Sequence, residues 1–124
     1  MTYTLGKRSL ERLVGVHPDL VRVVKRAIEL TARDLWVTEG LRTLETQRAY
    51  AAKGTSKTMN SRHLTGHAVD LYPVGRPTPW DKCPVVAKAM QAAADELGVA
   101  IVWGGSWKTF VDQPHFELLR SKYP

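Results

Sequence analysis

The sequence predicts an α+β fold, a single small domain with about three helices around one small sheet. Three observations lead there. The chain has 124 residues, enough for one ordinary domain and too few for two. Helix-like and strand-like segments follow one another in mixed order. The composition, 44% hydrophobic and 24% charged, supports a packed core and argues against wholesale disorder. No internal repeat or low-complexity segment interrupts the pattern.

The elements can be justified in turn. His17-Pro18-Asp19 opens a helix that runs to about Thr31, with Pro18 near the first helical position and Asp19 at the positive end of the dipole. Leu20, Val24, Ala27 and Ile28 form its apolar face, and Arg22, Lys25 and Arg26 its solvated one. Leu35-Trp36-Val37-Thr38 reads as a short strand ending at Glu39-Gly40. A second helix is expected over Leu44 to Ala52, with Thr43 as its N-cap. Lys53 to His67 is rich in Gly, Ser, Thr, Lys and Asn, an irregular segment of the kind that often carries function. Gly66 suggests a tight turn into Ala68-Val69-Asp70-Leu71-Tyr72, a mostly apolar run that suits a strand. Pro73 to Asp81, with three prolines and a glycine, reads as a loop. The third helix is expected from about Pro84 to Leu97, with Val86, Met90, Ala93 and Leu97 on one face and Gly98 just past its end. Ala100 to Trp103, stopping at Gly104-Gly105, and His115 to Leu119, entered through Pro114, are the remaining strands.

Composition narrows the function classes. No apolar stretch is long enough to span a bilayer, and the N-terminal segment lacks the apolar region of a secretory signal. The chain is therefore expected to be made in a cytoplasm and to reach any outside target by release or another export route. Its one cysteine, Cys83, can form neither an internal disulfide nor a cysteine-rich zinc site, and reads as a small buried residue near a helix start. The formal net charge of +6 and pI of about 9.7 favour an anionic partner. The charges are dispersed, though, and no basic run is interleaved with aromatics, so a nucleic-acid groove is not expected.

Chemistry concentrates in SRHLTGHAVD, residues 61–70. A catalytic zinc takes three protein ligands from His, Asp, Glu or Cys and keeps a further position open. The histidines are His17, His63, His67 and His115. His17 precedes a proline at a helix start and reads as a capping or surface residue. His63 and His67 have the i, i+4 spacing of a zincin helix, but the zincin glutamate is missing and Gly66 lies between them. On a strand, Ala68 and Asp70 share one face and His67 and Val69 the other, which sets His67 apart. His63, Asp70 and His115 remain as a His₂Asp set, two ligands close in sequence and one remote. A water-activating site also needs a base. Asp112 and Glu117 flank His115, and periodicity does not choose between them because Pro114 interrupts any regular strand back to Asp112.

The pattern Ser61-x-His63-x-x-Gly66-x-Ala68-x-Asp70, paired with Asp112-x-x-His115, resembles the signature of the zinc D-alanyl-D-alanine carboxypeptidases and L-alanyl-D-glutamate endopeptidases, the VanY-like peptidases. EGLRTLETQ, residues 39–47, resembles a further landmark of that family, an arginine just after the first strand. The stretch from Leu97-Gly98 to Glu117, with its WGG and PHFE, is similar to the phage endolysins among them. The likeness runs over roughly residues 9–119.

This resemblance implies a small, mostly antiparallel sheet of the Hedgehog/DD-peptidase type. It implies zinc on His63, Asp70 and His115, Asp112 as general base, and Arg42 as a substrate-binding or oxyanion-stabilising group. Ser61 would hydrogen-bond near the site. The implied activity is hydrolysis of the L-alanyl-D-glutamate bond of peptidoglycan by a monomer. A D-alanyl-D-alanine carboxypeptidase and a non-catalytic zinc-containing binding module remain the alternatives. The module is disfavoured because a purely structural site does not need Asp112. Ser106 stands where related endolysins often carry an aspartate, so local loop contacts there are expected to differ.

Overall fold

The apolar runs pair into a four-stranded antiparallel sheet: β1 (Leu35–Glu39), β2 (Ala68–Pro73), β3 (Ile101–Trp103) and β4 (His115–Leu118), in the order β1-β2-β4-β3. The structure is a computed structural model that describes residues 3–42, 48, 49, 52, 62–74, 79–107 and 111–124, with the side chains of 79–83 left out. Around the sheet lie α1 (Lys7–Arg12), α2 (Pro18–Leu30) and α3 (Pro79–Leu97). Among the described residues no helix is long and apolar enough to cross a membrane.

Helix α2 starts as its sequence dictates. His17 is the N-cap, its ring Nδ1 accepts from Asp19 N at 3.1 Å, and Pro18 needs no hydrogen-bond acceptor at the first helical position. Leu20, Val23, Val24, Ala27 and Ile28 recur at helical spacing and are all buried. They pack against α3, whose Val86, Met90 and Ala93 are fully buried, and α3 in turn lies on β2. Val37, Val69, Leu71, Phe116 and Leu118 supply the sheet's side of this core.

Two features differ from the sequence expectation. Helix α3 begins at Pro79 rather than near Pro84. Both prolines favour a first helical turn, and the earlier one sets the start while Pro84 sits inside the helix. Helix α1 was not foreseen. Its six residues carry no N-cap side-chain bond, and it is held by tertiary contacts: Ser9 Oγ accepts from Val37 N at 3.0 Å and Arg12 Nη1 donates to Val37 O at 3.0 Å. Of the helix expected over Leu44 to Ala52, only Arg48, Ala49 and Ala52 are described, and all three are helical. Thr43, Ser61 and the side chain of Cys83 lie outside the described residues.

Alternation along the strands divides the sheet chemically. Val69 and Leu71 of β2, and Phe116 and Leu118 of β4, face the helices. Ala68 and Asp70, and His115 and Glu117, therefore face the other way. The polar residues of both central strands thus share the face opposite the helices.

Gly66 makes the turn into β2. Its φ is +76°, and its carbonyl accepts from His17 N at 2.7 Å. A Cβ there would lie 2.4 Å from Gly15 O. Gly66→Ala is expected to cost roughly 1–3 kcal/mol for the left-handed backbone alone. Gly6→Ala, whose added methyl meets nothing within 4 Å, is the matched control. Urea denaturation of both variants checks this, and equal midpoints would refute the backbone argument.

Candidate metal centre

The polar face of the sheet gathers the predicted set. Asp70 on β2 lies directly opposite His115 on β4. Leu71 N donates to Pro114 O at 2.9 Å and Leu118 N donates to His67 O at 2.9 Å. These bonds flank Asp70–His115, which is therefore a non-hydrogen-bonded pair, the kind in which opposing side chains come closest. His115 Nδ1 stands 3.4 Å from Asp70 Oδ1.

His63 arrives from a single 3-10 turn, Arg62–Thr65, just before β2. Its Nε2 is 3.1 Å from the same Asp70 oxygen. One ligand atom from each of His63, Asp70 and His115 lies within 4.8 Å of the others. Tetrahedral zinc with bonds of about 2.05 Å separates its ligand atoms by roughly 3.3 Å, so the arrangement fits with small adjustment.

The second nitrogen of each ring is committed elsewhere. His63 Nδ1 donates to the Gly40 carbonyl at 2.9 Å, and because that oxygen only accepts, the proton sits on Nδ1 and Nε2 presents its lone pair. His115 Nε2 meets Glu117 Oε1 at 2.8 Å, leaving Nδ1 toward Asp70. Two neutral imidazoles with opposite tautomers and one carboxylate form a donor set suited to zinc.

Without a metal, His115 holds a proton instead. Burial opposes charge on His115, but its bonds to Asp70 and Glu117 outweigh that and raise its pKa to about 9. Burial likewise works against the Asp70 carboxylate, yet bonds from His115 and His63 hold it well below the ordinary carboxylate range.

Asp112 is brought to the cluster by a tight turn. His115 N donates to Asp112 O at 3.1 Å, closing the four residues Asp112 to His115. This is why an acidic residue three places before the histidine becomes its neighbour. A second turn, Gly104–Ser106, braces it: Asp112 N donates to Gly104 O at 3.0 Å. The approach is so close that a Cβ on Gly104 would lie 2.3 Å from Asp112 O, which accounts for a glycine there. Burial and the nearby Asp70 charge raise the Asp112 pKa, against the pull of His115, His63 and Arg42.

Arg42 lies at the bulged end of β1. The register shifts between Val37 and Glu39, which sets Glu39 opposite Asp70. Arg42 donates from Nε and Nη2 to the two Glu39 oxygens, both at 2.6 Å, and Arg42 N donates to His63 O at 2.9 Å. The guanidinium is buried and close enough to Asp112 to lower its pKa.

His67 is separate from the cluster. Its Nδ1 meets Thr65 Oγ1 at 2.6 Å and its ring lies 5.7 Å from that of His17, beside α2. Ser106, exposed, donates to Trp103 O at 2.7 Å within its own turn. Besides Glu39 and its hold on Arg42, sequence reasoning missed the contacts of Trp107 and Glu117. Trp107 lies with its ring 5.1 Å from His115, a contact that no spacing rule signals. Glu117 was weighed only as a base, although its i, i+2 relation to His115 was the available sign of its contact with that ring.

Residues 1–119 match the family described as phage L-alanyl-D-glutamate peptidase. The chain is 33% identical over 130 residues to the L-alanyl-D-glutamate peptidase of Escherichia phage T5, covering 99% of this chain and 94% of that one. It is 38% identical over 91 residues to the L-alanyl-D-glutamate peptidase of Listeria phage A118, covering 68% of this chain and 30% of the relative. Among solved structures, the Serratia marcescens L-Ala D-Glu endopeptidase ChiX superposes with a TM-score of 0.89 at 45% identity, over 95% of this chain and 91% of ChiX. The vancomycin-resistance D,D-dipeptidase VanXYg shares the fold, with a TM-score of 0.55 at 17% identity over 83% of this chain and 50% of its own.

The raised His115 pKa has a consequence for the metal-stripped protein. An unfolded histidine titrates near 6.5, so between there and about 9 the folded chain holds a proton that the unfolded chain has lost. That contribution to stability is fully present below pH ~6.5 and lost as pH rises through about 9. Thermal melts in chelator are expected to show a falling midpoint across this window. A flat midpoint would contradict the charged His115–Asp70 pair.

Proposed function

The chain belongs to the phage L-alanyl-D-glutamate peptidase family, and from that premise we propose that it is a zinc-dependent hydrolase of the L-alanyl-D-glutamate bond in peptidoglycan stem peptides. The observation that carries this reading is the convergence of His63, Asp70 and His115 with Asp112 held beside them. His63 through Nε2, His115 through Nδ1 and Asp70 through Oδ1 would hold the metal. When bound, zinc supplies Lewis acidity that polarises a carbonyl and makes water a nucleophile near neutral pH.

The chain's own groups do the rest. Asp112 takes the proton from the attacking water and returns it to the leaving amine. Burial makes its carboxylate more basic than an exposed aspartate, which suits a proton acceptor. Arg42, always charged and oriented by Glu39, stabilises negative charge developing on the scissile carbonyl or binds a substrate carboxylate. Ser61 is assigned to substrate binding on sequence grounds. The protein acts as a monomer, and since peptidoglycan lies outside the cytoplasmic membrane, it works after release or export. The likeness to the D,D-dipeptidase is one of fold and does not bring that enzyme's substrate.

Digestion of purified peptidoglycan is expected to yield fragments cut between L-alanine and D-glutamate, with activity lost in chelator and restored by zinc. Release of free D-alanine from an otherwise intact stem would point to a carboxypeptidase instead. Asp112→Ala is expected to keep zinc while losing about 10²–10⁴-fold in rate. Wall lysis at the wild-type rate by that variant would remove Asp112 from the mechanism.

A further inference from the structure

We propose that Glu117 is a positioning residue for the metal centre. Its carboxylate, steadied by Arg62, holds the His115 ring with Nδ1 turned to Asp70 and thereby sets how tightly the centre binds its metal. This rests on the reading that His63, Asp70 and His115 hold a metal.

Glu117 shares a strand face with His115, two residues on, and its Oε1 meets His115 Nε2 at 2.8 Å. Asp70 lies at the other nitrogen of the same ring, so Glu117 acts from the edge turned away from the cluster. Ligating histidines commonly donate their second N–H to a carboxylate, which locks the tautomer and strengthens the ring as a donor. Across the strand pair, the residue opposite Glu117 is Ala68, at a close, non-hydrogen-bonded position. A larger side chain there would crowd the Glu117 carboxylate. The alanine of the Ser61–Asp70 pattern thus has a physical reason.

The carboxylate is held in turn. Arg62 Nε is buried, has no hydrogen-bond partner among the described residues, and lies 3.9 Å from Glu117 Oε2. Arg62 Nη2 donates to Leu118 O at 3.2 Å and to Tyr123 O at 2.6 Å. Arg62 directly precedes His63 in the 3-10 turn. One arginine therefore ties the segment carrying the first histidine to the carboxylate that orients the last, and anchors the chain after β4 to both. Arg120, mostly exposed, adds a weaker contact at 4.0 Å.

The test measures zinc affinity of the purified full chain by competition with a chromophoric chelator, for wild type, Glu117→Gln and Glu117→Ala. Metal-free melting midpoints monitor the fold, and the visible spectrum of the cobalt-loaded protein reports ligand geometry. The alanine variant is expected to bind zinc about 10- to 100-fold more weakly than wild type. The glutamine variant, which keeps an acceptor oxygen and loses the charge, is expected between the two. The cobalt spectrum is expected to change in the alanine variant. Wild-type affinity in Glu117→Gln overturns the proposal, as does an unchanged cobalt spectrum in a weakened alanine variant. The glutamine variant is nearly isosteric and decides the matter if the alanine variant fails to fold. Absence of zinc binding by wild type would instead remove the metal reading itself.

Discussion

The pairing of Asp70 with His115 is the constraint on which the rest of the site depends. The two residues face each other across β2 and β4 at a position where antiparallel side chains are closest. A slip of β2 by one residue against β4 would turn Asp70 into the core and bring Val69 and Leu71 out, away from His115. The hydrophobic side of the sheet thus enforces the register that the polar side uses. Apolar burial against α2 and α3, on the opposite face of the sheet, decides where Asp70 and His115 lie.

Around that pair, the backbone supplies much of the chemistry. The Gly40 carbonyl selects the tautomer of His63, and the Asp112–His115 turn delivers a carboxylate beside the last ligand. The close approach of Gly104 to that turn leaves no room for a side chain. Burial opposes charge on both Asp70 and His115, and in each a hydrogen-bonded neighbour of opposite sign outweighs the cost. Asp112 differs in direction. Its surroundings raise its pKa, which distinguishes it chemically from the nearby Asp70.

Much of this was legible in the sequence because it rests on local rules. The α2 boundaries follow from a proline and a capping histidine, and its buried face follows from helical spacing. Strand alternation separated Asp70 from His67 correctly, since His67 does turn toward His17 and away from the cluster. The start of α3 was misjudged because two prolines five positions apart send the same signal. Helix α1 was missed because six residues form a stable helix only through contacts with β1.

The sequence by itself determined the chemical inventory: which residues can ligate, which can take a proton, and which strand face each occupies. Those follow from residue type and a period of two, which need no partner. Only the tertiary structure decided which ring nitrogen each histidine presents. It also decided that a bulge in β1 sets Glu39, which holds Arg42, opposite Asp70 on β2. These depend on contacts between segments tens of residues apart, and no local pattern encodes the distance at which two such segments meet.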